Sequence, residues 1–139
     1  YPERVMLLDK LIEKYEVNVV SGVFGEDMIR MYAQSKIVFN KSCAGEINMR
    51  VFESMSAGSM LMTDTLLPET GFSELFQDGK HLVCYRNDEE LIDKTGYYLS
   101  HDIEREQIAM AGYNEVMAKH TCGHRASQLI DTIKMELNL

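Results

Sequence analysis

The sequence predicts a doubly wound α/β fold, and two patterns carry that prediction. Short apolar segments alternate with longer segments whose apolar residues recur at helical spacing. Strands that alternate with helices imply parallel pairing, right-handed crossovers and helices on both faces of the sheet. With 139 residues, 45% of them hydrophobic and 26% charged, the chain suits a single globular domain spanning 1–139.

The elements follow one another in a regular order. A helical stripe between Val5 and Tyr15 follows Pro2, which suits a first helical turn. Helix starts are predicted after Asn48, Asn87 and Thr121, whose side chains suit N-cap positions. The predicted strands are 17–20, 37–39, 60–63 and 81–85, and the later predicted helices are 26–35, 49–57, 88–99, 103–119 and 122–137.

The predicted pattern opens on a helix, although a doubly wound unit opens on a strand. We therefore expect a Rossmann-like domain whose first, central strand lies upstream of Tyr1, and whose C-terminal part is helical. A sheet that lacks a central strand has an open edge, and pairing or exchange of strands at such an edge would produce a homodimer.

Composition excludes several classes of partner. The formal charge of −8 opposes binding to nucleic acid or to an anionic membrane surface. No apolar run approaches the roughly 18 residues of a transmembrane segment. Cys43, Cys84 and Cys122 are widely spaced without a Cys-x-x-Cys motif, which indicates free thiols in a reducing cytoplasm and no zinc site.

Candidate binding residues cluster in the loops that follow the predicted strands, where open α/β sheets bind ligands. The loop 40–48 leads into a helix whose free N–H groups suit a phosphate. Arg50 adds a cation in the first turn, and Glu53, three residues on, could accept hydrogen bonds from the two hydroxyls of a ribose. The alternative interpretation of this pair is an ordinary solvated ion pair on a helix surface.

The stretch from Asn48 to Gly58, followed by a strand that ends Thr63-Asp64, resembles the donor-binding half of GT-B glycosyltransferases. It looks closest to the group related to bacterial spore-maturation glycosyltransferases. The resemblance runs from residue 1 to about 130, and it includes the stretches 74–80, 81–85, 88–92, 97–99, 105–109, 111–112 and 120–125.

The resemblance implies a role for each matching residue. Glu53 matches the ribose-binding Glu, and Glu46 stands near the first member of the family's Glu-x7-Glu pair, one position short of that spacing. No basic residue within the chain matches those that many relatives carry near the first strand. The implied donor diphosphate contacts are Ser42, Asn48, Met49 and Arg50, and the implied nucleobase loop is Gly22, Val23 and Phe24.

The implied activity is hexosyl transfer from a nucleotide-diphosphate sugar to an acceptor, without a metal or other cofactor. The acceptor site would belong to a missing N-terminal domain, so the isolated domain would be inactive. Two alternatives stay open: half of a nucleotide-sugar 2-epimerase, which shares the fold, and a non-catalytic receiver-like or interaction module.

Three other features receive simpler interpretations. His120, Cys122 and His124 alternate at a spacing that separates them on a helix, which disfavours a metal site. Asp64 lacks the companion acids of a receiver phosphoacceptor. Cys43 has no adjacent His or cation to activate its thiol.

Overall fold

The computed structural model describes residues 2–137 of the chain. Its order of elements confirms the predicted alternation from residue 25 onward. The elements are α1 (Pro2–Ile12), α2 (Gly25–Gln34), β1 (Ile37–Phe39), α3 (Met49–Ser56), β2 (Met60–Asp64), a 3₁₀ turn (Pro68–Thr70), α4 (Phe72–Leu75), β3 (Val83–Tyr85), α5 (Asp88–Ser100), α6 (Asp102–Lys119) and α7 (Cys122–Leu137).

The sheet described within 2–137 is parallel and has the order β1-β2-β3. Val38 pairs with Leu61, and Thr63 pairs with Cys84. β2 is therefore the central strand, and its residues 60–63 are fully buried. Each crossover between parallel strands contains a helix, as the doubly wound prediction requires.

Two apolar cores lie on opposite faces of the sheet, because alternate residues of a strand point to opposite sides. Met60 and Met62 of β2 enter one core, whereas Leu61 enters the other. The first core also contains Leu11, Val83, Tyr85, Leu91, Ile92, Ile108 and Ala109, and the second contains Val51, Met55, Phe72, Phe76, Leu82, Cys84 and Val116.

α3 packs its apolar side onto the second core, and this contact fixes the direction of the helix. Val51 and Met55 are completely buried and lie four residues apart, on the same side of the helix. The buried Ser54 hydroxyl donates to the carbonyl of Arg50 at 2.6 Å, so it leaves no unpaired polar group in the core. Gly58, with φ 83°, then reverses the chain toward β2.

The predicted strand at 17–20 is wrong. This segment has no strand partner among the described residues, and both Val19 and Val20 are exposed. β-branched residues favour an extended backbone, but a strand also requires a neighbour that completes its hydrogen bonds. The stripe of α1 is also narrower than predicted, since Val5 and Ile12 are exposed and only Leu11 is fully buried.

The predicted helix starts are confirmed, although one cap works differently from the prediction. Asn87 Oδ1 accepts from the N–H of Glu90 at 2.9 Å, and Thr121 Oγ1 accepts from the N–H of His124 at 3.4 Å. Asn48 precedes α3 in an extended conformation but makes no capping hydrogen bond. Its side chain has another partner, which is described with the site.

The predicted C-terminal helices α6 and α7 are present, and they differ in burial. α6 contributes Ile108, Ala109 and Val116 to the two cores, whereas every residue of α7 is exposed. Within residues 2–137, no helix has both the length and the apolar composition needed to cross a membrane.

Close packing of α6 makes Gly112 intolerant of a side chain. A Cβ at this position would lie 2.3 Å from the carbonyl oxygen of His81 and 3.1 Å from Sδ of Met55. We expect Gly112→Ala to lower the free energy of unfolding by about 1–3 kcal/mol, because overpacking outweighs the better helix propensity of Ala. Urea unfolding monitored by circular dichroism measures this change.

Gly123→Ala in α7 is the matched control. Its Cβ would meet nothing closer than Thr121 Oγ1 at 3.7 Å, so we expect a stabilising change of no more than about 1 kcal/mol. Equal effects of the two substitutions would contradict the packing argument.

Candidate functional site

Asn40 lies directly after β1, at the carboxyl end of the sheet, and is only 1% exposed. Its N–H donates to the carbonyl of Met62 at 2.8 Å, and its Nδ2 donates to Oγ1 of Thr63 at 3.0 Å. The hydroxyl of Tyr85 donates to the Asn40 carbonyl at 2.8 Å. This residue therefore joins the ends of all three described strands.

Arg50, in the first turn of α3, lies against Asn40. Its Nη1 donates to Oδ1 of Asn40 at 3.2 Å, and its Nε donates to the hydroxyl of Tyr32 at 3.3 Å. Within residues 2–137, Nη2 of Arg50 makes no hydrogen bond. The guanidinium is thus held at the strand ends by neutral groups and keeps donors for another partner.

The N-terminal end of α3 carries further unused donors. Nδ2 of Asn48 donates to Oδ1 of Asn40 at 3.2 Å, and the side chain of Asn48 does not cap the helix. The Oδ1 atom of Asn48 is buried and has no hydrogen-bond partner within residues 2–137. The N–H groups of Met49 and Arg50 find no acceptor in the described part of the chain. Met49 is 62% exposed, so this end of the helix is open to solvent.

Glu53 lies one turn further along α3 and is half-buried. Among the described residues its carboxylate has no hydrogen-bond or ion-pair partner, so the solvated ion pair with Arg50 is not formed. Helix periodicity places the two residues on neighbouring positions of one face. The helix therefore presents a cation and a separate, unpaired carboxylate.

Ser42 and Asp64 fix the loop 40–48 to the end of β2. Asp64 Oδ1 accepts from the N–H of Ser42 at 2.8 Å, and Asp64 Oδ2 accepts from the Ser42 hydroxyl and from Nζ of Lys41. Burial lowers the pKa of Lys41, but the hydrogen bond and charge of Asp64, together with Glu3, raise it overall. The predicted site residue Ser42 is therefore present in the loop, with its hydroxyl engaged by protein.

Glu46 stabilises the exposed tip of the same loop. Its carboxylate accepts from the N–H of Ala44 at 2.6 Å and from that of Cys43 at 3.1 Å. These backbone hydrogen bonds lower the pKa of Glu46. Gly45 takes a positive φ of 80°, which permits the tight turn.

The predicted nucleobase loop leads into α2. Gly22 and Gly25 both have positive φ, and Phe24 between them is 80% exposed. A short connection joins the C-terminal end of α2 to β1, another joins α3 to β2, and the two strands are parallel. Both helices therefore begin on the side of the sheet where the strands end.

A cleft of about 410 Å³ opens beside the loop 40–48. Lys41 of the loop and Asp64 at the end of β2 line this cleft, whereas the predicted contacts Arg50 and Glu53 do not. Its lining consists of Glu3, Leu7, Lys41, Asp64, Thr65, Tyr85, Arg86, Asn87 and Asp88.

The cysteine and histidine side chains of the described residues are not grouped as metal ligands. In the described residues no group of three or more His, Cys, Asp or Glu side chains is arranged to hold a metal ion. Nδ1 of His124 contacts the Thr121 hydroxyl at 2.7 Å, and Nδ1 of His120 contacts Arg125 at 2.9 Å. Burial raises the pKa of the Cys84 thiol to about 12.

The sequence profile of a family described as glycosyl transferase-like matches residues 4–131, which is most of the chain. The chain belongs to this family. A sequence comparison with curated proteins found no match.

The fold of this glycosyl transferase-like domain is also found in a solved structure, the C-terminal domain of a glycosyl transferase group 1 family protein, LpcC, from Francisella tularensis. The two agree with a TM-score of 0.63 at 17% sequence identity, over 87% of this chain. The chain spans 64% of the length of that structure. The expected relation to the C-terminal domain of GT-B enzymes is confirmed, together with the Rossmann-like α/β class.

Three residues of the candidate site were not predicted from the sequence. They are Asn40, Tyr32 and Tyr85, which lie in separate parts of the chain. Asn40 and Tyr32 accept hydrogen bonds from Arg50, and Tyr85 donates to Asn40, only once the chain is folded. One signal was available, because a polar Asn directly after a buried strand is unusual unless it is hydrogen-bonded.

The hydrogen bonds of Glu46 predict a low titration midpoint in the glycosyl transferase-like domain. Because the folded pKa lies below the ordinary 4.5, the loop is stabilised above pH 4.5 and loses this support only as pH falls through the lowered value. We expect the amide resonances of Cys43 and Ala44 to titrate together below pH 4.5 in NMR spectra. Glu46→Gln abolishes that titration, and a wild-type midpoint at or above 4.5 would contradict the assignment.

Proposed function

We propose that this domain binds the nucleoside diphosphate of a sugar donor at the N-terminal end of α3 and stabilises the diphosphate as it leaves. The observation that carries the proposal is the set of unused donors on one open helix end: the N–H groups of Met49 and Arg50, and Nη2 of Arg50. Membership of a glycosyl transferase-like family supports it.

The chemistry of sugar transfer requires these donors. Negative charge builds on the leaving diphosphate as the bond to the sugar breaks, and donors already aimed at that charge lower the barrier. The partial positive charge of a helix N-terminus acts together with the forked guanidinium, which can bind two phosphate oxygens. Within residues 2–137 the hydrogen-bond partners of the Arg50 guanidinium are neutral, and no acid forms an ion pair with it.

The ribose and the base then extend away from the diphosphate. The unpaired carboxylate of Glu53 accepts from the two ribose hydroxyls, and this fits its half-buried position one turn along α3. The loop of Gly22, Val23 and Phe24 lines the base, for which the exposed Phe24 offers a ring face. Ser42 contributes by holding the loop 40–48 on Asp64.

The rest of the reaction needs a second domain. In this proposal an N-terminal acceptor domain closes over α3 and supplies the general base, so hexosyl transfer requires both domains and the isolated domain does not turn over. Helix donors and Arg50 take the place of a metal. The exposed Cys43 and Cys122 are free thiols, which suits a protein of the reducing cytoplasm.

Arg50 distinguishes this proposal from the receiver-like or interaction module. That alternative needs Arg50 turned away from the strand ends and paired with solvent-side acids. Instead, Arg50 lies on Asn40 and Tyr32. Asp64, the residue that a receiver domain would phosphorylate, is occupied by Ser42 and Lys41.

Arg50→Ala tests the diphosphate site. We expect UDP or GDP, titrated to about 10 mM, to shift the amide resonances of residues 48–53 in NMR spectra of the wild-type chain. We expect Arg50→Ala to weaken that binding about 10- to 100-fold, because a charge-assisted hydrogen bond is lost. Addition of EDTA leaves the wild-type binding unchanged.

Arg30→Ala is the control for this substitution, since Arg30 is exposed on α2 and pairs only with Glu26 at 3.7 Å within the described chain. Binding of both nucleotides without any shift at residues 48–53, or an equal loss in both variants, would overturn the proposed diphosphate site.

Glu53→Gln tests the ribose contact by its ligand dependence. We expect this variant to bind UDP about 10-fold more weakly and to bind inorganic pyrophosphate as the wild type does, because pyrophosphate has no ribose. Glu106→Gln, an exposed change on α6, is the control. A parallel loss for both ligands would refute the ribose assignment.

A further inference from the structure

We propose that Asn40 is a positioning residue that aims the guanidinium of Arg50 at the donor diphosphate. This inference rests on the proposed function, because it concerns how the same site is held ready. The observation behind it is that the neutral side chain of Asn40 is buried and accepts a hydrogen bond from the charged Arg50. Neither the family match nor the sequence motif assigns a role to position 40.

A free arginine side chain loses considerable rotamer entropy when a ligand fixes it. Here two of its nitrogens are already fixed: Nη1 by Oδ1 of Asn40, and Nε by the hydroxyl of Tyr32. Because the guanidinium is planar, two fixed nitrogens determine the direction of the third. Nη2 is the nitrogen left without a partner in residues 2–137.

Asn40 can hold Arg50 because it is itself held at several atoms. Its N–H, its Nδ2 and its carbonyl oxygen bind Met62, Thr63 and Tyr85 respectively. The orientation of its amide is also determined chemically, since a guanidinium can only donate and must therefore face Oδ1. Nδ2 then faces the Thr63 hydroxyl, which can accept.

The choice of an amide, instead of an acid, has a consequence for affinity. An aspartate at position 40 could accept the same hydrogen bond from Arg50, but its charge would offset the cation that the diphosphate needs. A neutral acceptor positions Arg50 and leaves its charge uncompensated. Asn40 also accepts from Nδ2 of Asn48, so the same oxygen fixes the residue that precedes the open helix end.

A double-mutant cycle tests this inference, with UDP as the probe and NMR titration as the measurement. We expect Asn40→Ala to weaken UDP binding about 10-fold when Arg50 is present, and less than about 2-fold in an Arg50→Ala background. A residue that merely supports the fold would cost the same factor in both backgrounds, and that result would overturn the inference. If Arg50→Ala alone has no effect, the proposed function itself fails.

A second readout reports the position of Arg50 without any ligand. We expect the Nη1–H resonance of Arg50, whose nitrogen donates to Asn40, to be distinct and slowly exchanging in the wild type, and to move to the averaged position of exposed arginines in Asn40→Ala. The same resonance of the exposed Arg30 stays unchanged. An unmoved Arg50 resonance would contradict the positioning role.

Two further variants keep the test decisive if Asn40→Ala does not fold. Asn40→Asp preserves the size and the acceptor, and we expect it to keep the Arg50 resonance distinct while weakening UDP binding about 10-fold. Thr95→Val removes a buried hydroxyl of α5 that contacts Met62 of the first core, and it controls for loss of stability alone. Wild-type UDP affinity in Asn40→Asp, or an equal loss in Thr95→Val, would refute the proposal.

Discussion

The buried side chain of Asn40 is the point on which the arrangement of the site depends. A polar group so far from water must find hydrogen-bond partners, or its burial costs free energy of the order of 1–3 kcal/mol. The side-chain amide of Asn40 finds them on Thr63 of β2 and at the N-terminal end of α3, and Tyr85 of β3 donates to the backbone carbonyl of the same residue. Satisfaction of one amide therefore couples the strand ends to the helix that carries Arg50.

The two apolar cores make this coupling rigid. Met60 and Met62 face one core and Leu61 faces the other, so a slip of β2 by one residue would move each set into the core that fits the other. Val51 and Met55 hold α3 on the second core. The position of Arg50 is consequently fixed by the packing of α3 on the second core and by the hydrogen bonds of its guanidinium.

The charged residues around the candidate site differ in their partners. The net charge of −8 includes acids near the loop, but these have other partners: Asp64 pairs with Lys41, and Glu46 binds the N–H groups of its own turn. Arg50 instead contacts neutral groups. Among the described residues Arg50 is therefore a cation without an ion-pair partner, in a chain whose net charge is negative.

Much of the fold follows from local patterns. Periodicity, caps and Gly turns, which depend on near neighbours, predict the helices and the strands 37–39, 60–63 and 81–85, and the structure has these three strands at 37–39, 60–64 and 83–85. The segment 17–20 shows where such patterns fail, because its β-branched residues lack a partner strand in the described chain. Pairing is a property of two segments, and no single segment encodes it.

For the candidate site too, local sequence determines some features and tertiary structure determines others. Sequence alone determined that Arg50 and Glu53 share one face of a helix that starts after Asn48, because helix geometry relates residues three positions apart. Only the tertiary structure decided that Arg50 lies on Asn40 and Tyr32 instead of pairing with Glu53. Those partners are 10 and 18 residues away in the chain, and folding brings them together at the ends of parallel strands.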